Sequence, residues 1–257
     1  MKLNRTVTGP QSGLPVILVH GLFGQGRNLG AIARRLADGR QVVTVDLRNH
    51  GDSPHDADHS YRAMAGDLAE TIAEFGGRAD LVGHSMGGKA SMALALTQPD
   101  LLRKLVVMDI APVAYRHSQN DLIDAMQAMD LNDLDRRSDA DSRLAAGIDS
   151  DGLRAFLLQQ LDLKAQPARW RLNLPVLRAS MDEVTGWPDD LPRATFDGPC
   201  LFMAGERSDY IDAQGEDAMR GHFPQARLVT LKNAGHWMHA DAPEAVADTL
   251  AAFLGDG

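Results

Sequence analysis

The segment from Gly83 to Gly87, GHSMG, has the spacing of a catalytic serine turn, G-x-S-x-G. It follows an apolar run at 79–83 and precedes a stretch with helical spacing at 86–97, so we expect a sharp turn between a strand and a helix. The glycines on either side of Ser85 leave room for such a turn, which lifts the hydroxyl clear of the sheet and points the amino end of the helix at it. The pattern therefore predicts that Ser85 is a nucleophile.

A serine hydroxyl attacks efficiently when a base removes its proton, and that base is usually a histidine. His236 lies in the segment NAGHW, between the last predicted strand and the last predicted helix, and so on the same edge of the sheet as Ser85. His239 follows three residues later, but the H-E-x-x-H pattern of a zinc-binding helix is not present. His84, inside the serine turn, is expected to pack rather than react. We predict His236 as the base, and no metal.

Three further histidines, His50, His55 and His59, share a segment with three aspartates. Such a mixture could ligate a metal, but a solvated polar loop is the simpler interpretation. We therefore expect these histidines at the surface.

Acyl transfer also needs two backbone N–H groups directed at the oxyanion that forms on the substrate. The geometry of the serine turn makes the amide of Met86 one of them. The other is expected in the turn after the first predicted strand, HGLFG at 20–24, where glycines let the chain approach the substrate closely. We assign it to Leu22, with Phe23 as the alternative. A phosphate-binding loop is excluded there because neither G-x-G-x-x-G nor a terminal G-K-[ST] occurs.

Around these residues the chain alternates between strand and helix patterns. Short apolar runs between helix breakers predict buried strands, and apolar residues at helical spacing predict amphipathic helices. We expect strands at 15–20, 41–46, 79–83, 104–108, 200–204 and 227–231, and helices at 28–37, 61–75, 86–97 and from 243 to 253. This alternation is typical of the α/β class, with a mostly parallel central sheet and helices on both of its faces.

The alternation stops between residues 112 and 192, which contain only short helical patterns such as Leu122–Met129 and Leu153–Leu161. An excursion of this length between two sheet strands is expected to cover the carboxyl edge, where open α/β proteins bind ligands. The sequence thus predicts a core domain of residues 1–111 and 193–257 with an inserted helical cap at 112–192.

The charge balance of the chain, 26 Lys plus Arg against 35 Asp plus Glu, gives a net charge of −9, which would repel a nucleic-acid backbone. No apolar run reaches the roughly 18 residues of a membrane helix. One cysteine cannot form an internal disulfide, and the first residues lack the apolar core of a signal peptide. We expect a cytoplasmic protein that neither binds nucleic acid nor spans a membrane.

Several short segments match those of one superfamily: VHG at 19–21, LFGQGRNLG at 22–30, DLRNHGDS at 46–53, GHSMGG at 83–88, VMDIAPV at 107–113, WRLNLP at 170–175 and NAGHW at 233–237. Through them the chain resembles the α/β-hydrolase superfamily and, more narrowly, the small bacterial YbfF-type esterases and their mitochondrial abhydrolase relatives. The resemblance covers nearly the whole chain and is weakest in the cap. It implies an α/β-hydrolase fold and an esterase or thioesterase that needs no cofactor.

The resemblance leaves two positions for the acid that orients the histidine. The superfamily usually places it after the strand at 200–204, where this chain has Ser208 with Asp209 one place late. The narrower family resembles this chain in having a serine at that place. Its acid lies at the end of the preceding core strand, a position that corresponds to Asp109 in this chain. We favour Asp109 over Asp209, with Glu206 as a third candidate.

These residues predict two-step acyl transfer on a small-molecule ester of short to medium acyl chain. A thioesterase or lactonase using the same triad, or a small-ligand receptor without catalysis, is the alternative. The chain has few aromatic residues, and Met126, Met129 and Met181 lie in the predicted cap with several leucines, so we expect a flexible aliphatic pocket.

Overall fold

The structure, a computed structural model, describes residues 1–11, 13–191 and 194–255. The strands in these residues are β1 (Arg5–Thr8), β2 (Val16–Val19), β3 (Val42–Val45), β4 (Ala79–His84), β5 (Leu102–Met108), β6 (Leu161–Asp162), β7 (Arg169–Trp170), β8 (Cys200–Gly205) and β9 (Ala226–Leu231). The α-helices are α1 (Gly30–Leu36), α2 (Tyr61–Glu74), α3 (Met86–Thr97), α4 (Asn120–Ala128), α5 (Arg137–Leu144), α6 (Asp151–Leu157), α7 (Leu174–Ala179), α8 (Met181–Thr185), α9 (Ala213–His222), α10 (Met238–Asp241) and α11 (Pro243–Gly255). Across this described part of the chain, no helix is both long enough and apolar enough to cross a bilayer.

The described residues form a seven-stranded sheet in the order β1-β3-β2-β4-β5-β8-β9. Only the edge strand β1 pairs antiparallel, and the other pairings in this sheet are parallel. The mostly parallel sheet expected from the sequence is confirmed. β1 was not predicted, because its residues are partly exposed and form no apolar run.

Side chains of the central strands point alternately into two apolar layers. In β2, Ile17 and Val19 join the layer that includes α2 and α3, whereas Val16 and Leu18 join the layer that includes α1 and α11. All four side chains are buried. Because both faces are covered, the central strands form continuous apolar runs in the sequence.

The register of the parallel strands brings their carboxyl ends level. His84, the last residue of β4, lies opposite Met108, the last residue of β5, and Met108 lies opposite Met203 of β8. The next residues, Ser85 and Asp109, leave the sheet side by side. Their amides donate to the carbonyl oxygens of Met108 (3.0 Å) and Met203 (2.8 Å), respectively. The sheet therefore fixes how far apart these two residues lie.

Between β5 and β8 the chain forms the helices α4 to α8, and α4 and α6 fall on the two helical patterns predicted there. It also forms an antiparallel pair, β6 with β7, which corrects the expectation of helices alone. Two residues a strand are too few to give a recognisable period. The division into core and cap at 112 and 192 stays a prediction, and its second boundary, between residues 192 and 193, lies outside the described residues, as do residues 256 and 257.

Candidate active site

Ser85 lies at the tip of a tight turn between β4 and α3. Its backbone has φ 52° and ψ −120°, a strained conformation that costs an ordinary residue about 1–3 kcal/mol. Glycines allow this turn, because a Cβ at Gly83 would lie 2.3 Å from the carbonyl oxygen of Gly87, and one at Gly87 would lie 2.4 Å from that of His20. The turn presents the serine hydroxyl at the edge of the sheet, at the positive end of α3.

His236, on the loop between β9 and α10, lies between Ser85 and Asp109. Its Nε2 is 3.1 Å from Ser85 Oγ, and its Nδ1 is 2.7 Å from Asp109 Oδ2. In this arrangement Nδ1–H donates to the buried carboxylate, which leaves Nε2 as the acceptor for the serine proton. The three side chains have the geometry of a nucleophile, a base and an orienting acid.

The two other candidate acids lie away from the imidazole. Asp209 is exposed, and no described residue forms a hydrogen bond or ion pair with its side chain. Glu206 Oε2 accepts the backbone amide of Asn233 at 2.8 Å. Of the three candidates, the structure brings Asp109 to His236.

Asp109 is held from several sides. Its backbone has a positive φ of 54°. Its Oδ1 accepts a hydrogen bond from the amide of Gly205 at 2.8 Å, and its Oδ2 accepts one from the hydroxyl of Ser208 at 2.5 Å. A Cβ at Gly205 would lie 2.6 Å from the carbonyl oxygen of Gly235, so the end of β8 lies against the loop that carries His236. These contacts fix the carboxylate on the far side of the imidazole from Ser85.

His84 is buried beside His236, as expected. Its Nε2–H donates to the carbonyl oxygen of His236 at 2.8 Å, and the two rings lie 4.9 Å apart. Burial lowers the pKa of His84 well below its ordinary value, so its ring is neutral. His84 therefore holds the backbone of His236 without adding a charge next to it.

The turn at residues 20–24 lies directly beside Ser85, since a Cβ at Gly21 would lie 3.0 Å from Ser85 Cβ. No described residue accepts a hydrogen bond from the amide of Leu22 or from that of Met86. The amide of Phe23 is engaged, because it donates to His50 Nε2 at 3.1 Å. Of the two residues predicted in this turn, Leu22 has the amide that is free to bind an oxyanion.

The polar loop after β3 is only partly solvated: its three aspartates are exposed, but two of its three histidines are buried, which corrects the expectation of histidines at the surface. His50 and His59 are 0% and 1% exposed, and only His55 lies at the surface. His50 Nδ1–H donates to the carbonyl oxygen of Arg48 at 2.9 Å, and burial lowers the pKa of His50 well below its ordinary value. Protein partners thus replace water at His50, whereas His59 Nε2 has no hydrogen-bond partner among the described residues. Loop composition reveals neither arrangement.

A cavity of about 300 Å³ opens over Ser85. Its aromatic lining residues are Phe23, Tyr61, Tyr115, Phe156, Tyr210 and Trp237. Met126, Met129 and Met181 do not line the cavity but are buried in the apolar cluster. Aliphatic side chains such as Leu122 and Leu153 complete the wall. The expectation of an aliphatic pocket therefore needs correction in two respects: the three methionines are not part of the wall, and aromatic rings are.

Lys89, one helical turn after Ser85, also lines the cavity and was missed in the sequence. Its Nζ donates to the carbonyl oxygens of Thr185, at 2.9 Å, and Gly186, both at the end of α8. It lies 4.7 Å from the centre of the Tyr115 ring, and no described carboxylate pairs with it. Burial lowers the pKa of Lys89 to about 7. This side chain ties the serine helix to the segment between β5 and β8.

The fold is that of a known family. A family model described as the alpha/beta hydrolase fold matches residues 15–243. The chain therefore belongs to the α/β-hydrolase family.

Individual relatives point in the same direction. The chain is 39% identical to the esterase YbfF of Escherichia coli over the full length of both proteins. It is 40% identical to an sn-1-specific diacylglycerol lipase of Mus musculus over 93% of this chain and 80% of that protein. A solved structure of a marine microorganism esterase superposes with a TM-score of 0.92 at 36% identity and covers 98% of this chain and 99% of its own. These similarities identify an enzyme of the carboxylesterase-type hydrolases.

Proposed function

We propose that the chain cleaves carboxylic esters of short to medium acyl chain through an acyl-enzyme on Ser85. The observation that carries the proposal is the continuous contact from Ser85 Oγ through the imidazole of His236 to Asp109, with steps of 3.1 Å and 2.7 Å, at the base of a cavity. Among the positions considered for the acid, only Asp109 makes that contact. Such a chain of contacts is what an activated serine requires.

In the first step Ser85 Oγ attacks the ester carbonyl as His236 Nε2 takes its proton. The carbonyl oxygen becomes an oxyanion, which the amides of Leu22 and Met86 bind. The tetrahedral intermediate then expels the alcohol, which takes the proton from His236, and leaves an acyl group on Ser85. In the second step a water molecule gives a proton to His236 as it attacks the acyl carbon. The bond between that carbon and Ser85 Oγ then breaks, Oγ takes the proton back from His236, and the acid is released. Asp109 keeps Nδ1 protonated and stabilises the imidazolium in both steps.

The size of the cavity supports the limit on chain length. A volume of about 300 Å³ is at the lower end of the range for small-molecule sites, and aromatic side chains form much of the cavity wall.

The names of the similar proteins, esterase and diacylglycerol lipase, support an oxygen ester as substrate. A thioester or lactone would react on the same residues, and a chain-length series of esters and thioesters separates these substrates. A non-catalytic receptor would have no need for this chain of contacts. The cytoplasmic location stays a prediction.

The first test is Ser85→Ala, with turnover of p-nitrophenyl acetate as the measurement. We expect a loss of about a thousandfold or more, because the oxyanion-binding amides and the pocket alone give only residual catalysis. Ser91, on the same helix, gives a matched control: its hydroxyl donates to the carbonyl oxygen of Gly87, away from His236. Ser91→Ala should retain activity. Full turnover by Ser85→Ala would contradict the proposal.

A further inference from the structure

The ring of Tyr210 lies face to face with the imidazole of His236. Their centres are 4.0 Å apart and their planes are inclined by 16°. Among the described residues no other ring pair is as close or as nearly parallel: the next in distance is 4.7 Å and the next in angle is 27°. The mechanism above does not use Tyr210, yet this side chain covers one face of the base.

Tyr210 is held in this position from both ends. Its backbone carbonyl oxygen accepts the hydroxyl of Tyr115 at 2.7 Å, and its own hydroxyl is 2.9 Å from His117 Nε2. Burial raises the pKa of Tyr210 to about 12 and lowers the pKa of His117, so the phenol O–H donates to a neutral imidazole. The ring therefore has little freedom to turn away from His236.

We infer that Tyr210 is a positioning residue for His236, which fixes the plane of the imidazole between Ser85 and Asp109 and stabilises the imidazolium through the face of its ring. This rests on the proposed function. The face of an aromatic ring is electron-rich and favours a nearby cation by about two- to thirtyfold in the equilibrium constant. A hydrogen bond donated by the phenol to His117 increases the electron density of the ring and strengthens the effect.

Besides the uncharged Tyr210 ring, few charged groups act on the protonation of the His236 imidazole. Asp109, which follows β5, contacts His236 directly, and from β4 the ring of His84 lies 4.9 Å away. His239, on α10, packs against His84 at 4.7 Å. Burial holds the pKa values of both rings below the ordinary value, so they are neutral. Lys89 of α3 and His117 line the same cavity, and Asp209 precedes Tyr210 at the surface, but none of these three forms a hydrogen bond or ion pair with His236. Asp109 is thus the charged side chain in contact with the imidazole, and the Tyr210 ring is the uncharged one that favours its protonation.

The test compares Tyr210→Phe, which keeps the ring face, with Tyr210→Leu, which removes it. For p-nitrophenyl acetate we measure kcat and kcat/KM against pH. Tyr210→Leu is expected to lower kcat about tenfold and to move the acidic limb of the profile to lower pH by about half to one unit, because the imidazolium loses a stabilising contact. Tyr210→Phe should keep the limb in place and kcat within about threefold.

Phe156→Leu is the matched control, since it removes another ring from the cavity wall that does not lie on the imidazole. It is expected to change KM without moving the limb. A limb that stays in place in Tyr210→Leu, or that moves equally in Phe156→Leu, would overturn the inference and leave Tyr210 as a wall residue only.

A second measurement does not depend on turnover. The ¹⁵N signals of His236 are titrated in the Ser85→Ala protein with and without Tyr210→Leu, and thermal unfolding confirms that each variant is folded. We expect the leucine variant to lose the imidazole proton at lower pH, and coincident titrations would overturn the inference. Failure of the proposed function appears separately, as turnover that survives Ser85→Ala.

Discussion

The end of the sheet and the segment between β5 and β8 build the site in different ways. At the sheet, register places Ser85 and Asp109 on adjacent strand ends, and each amide is bonded to the neighbouring strand. The other segment supplies cavity walls, such as Leu122 and Phe156, from short helices and loops. The position of the reacting atoms thus depends on backbone pairing, whereas the shape of the pocket depends on side-chain packing. We expect changes at the sheet to affect kcat and changes in the other segment to affect KM.

The largest effect on the sheet side is expected at the acid. Asp109→Asn should lower kcat by about ten-thousandfold, because an amide stabilises the wrong tautomer of His236. Asp209→Asn should cost about tenfold or less, since Asp209 is exposed and makes no described contact with the imidazole. The measurement is kcat for p-nitrophenyl acetate, with the double variant included to detect partial substitution. Equal losses in the two single variants would contradict the assignment of the acid.

Lys89 joins the two regions, because it connects α3 to the carbonyl oxygens at the end of α8. The pH dependence of the free energy of unfolding tests this contact. Burial lowers the pKa of Lys89 to about 7 in the folded state, while the unfolded chain keeps its proton to about pH 10.4. Between these values the unfolded state binds more protons, so the free energy of unfolding of the wild type rises with pH. Relative to Lys89→Met, it should rise by roughly 2–5 kcal/mol between pH 7 and 10.5.

Urea unfolding at several pH values measures this difference, and the comparison with Lys89→Met cancels the other titrating groups. A difference that stays constant from pH 7 to 10 would show that the lysine keeps its proton among the carbonyl oxygens of Thr185 and Gly186.

The smallest effect is expected at the cavity wall. Phe156→Ala should lower kcat/KM about tenfold, mostly through KM, because a half-buried phenyl contributes about 1–2 kcal/mol to binding. Phe253→Ala is the matched control: this phenylalanine is also half-buried, but it packs on α11 against the opposite face of the sheet. Phe253→Ala should lower the free energy of unfolding and leave KM unchanged. A fall in kcat with constant KM in Phe156→Ala would contradict the division between the two regions.

The sequence predicted the sheet side of the site well because local rules act there. G-x-S-x-G encodes a strained turn through two glycines, and the apolar runs of β2, β4 and β5 reflect strands buried on both faces. These patterns are sufficient to place Ser85 and His236 on one edge. Resemblance to a family, and not spacing, favoured Asp109.

Between the sheet edge and the segment from β5 to β8, one or two hydrogen bonds of a side chain join residues that are distant in the sequence, and such contacts leave no local pattern. Gln160 donates to the carbonyl oxygens of Phe23 and Gly24, and Asn173 donates through its amide side chain to Asn49 Oδ1. The stacking of Tyr210 on His236 likewise leaves no local pattern, because the two residues are distant in the sequence. His50 and His59 were misread for a related reason, since loop composition shows neither their burial nor the backbone partners of His50.

The central claim, that Ser85 is activated by His236 and Asp109, is tested most directly by labelling with a fluorophosphonate, followed by mass analysis of the intact protein and of its peptides. We predict one adduct per chain, on the peptide that contains Ser85, and a rate of labelling that falls in Asp109→Asn but stays near the wild-type value in Asp209→Asn. An active enzyme that carries no adduct on Ser85, or equal labelling rates in Asp109→Asn and the wild type, would contradict the claim.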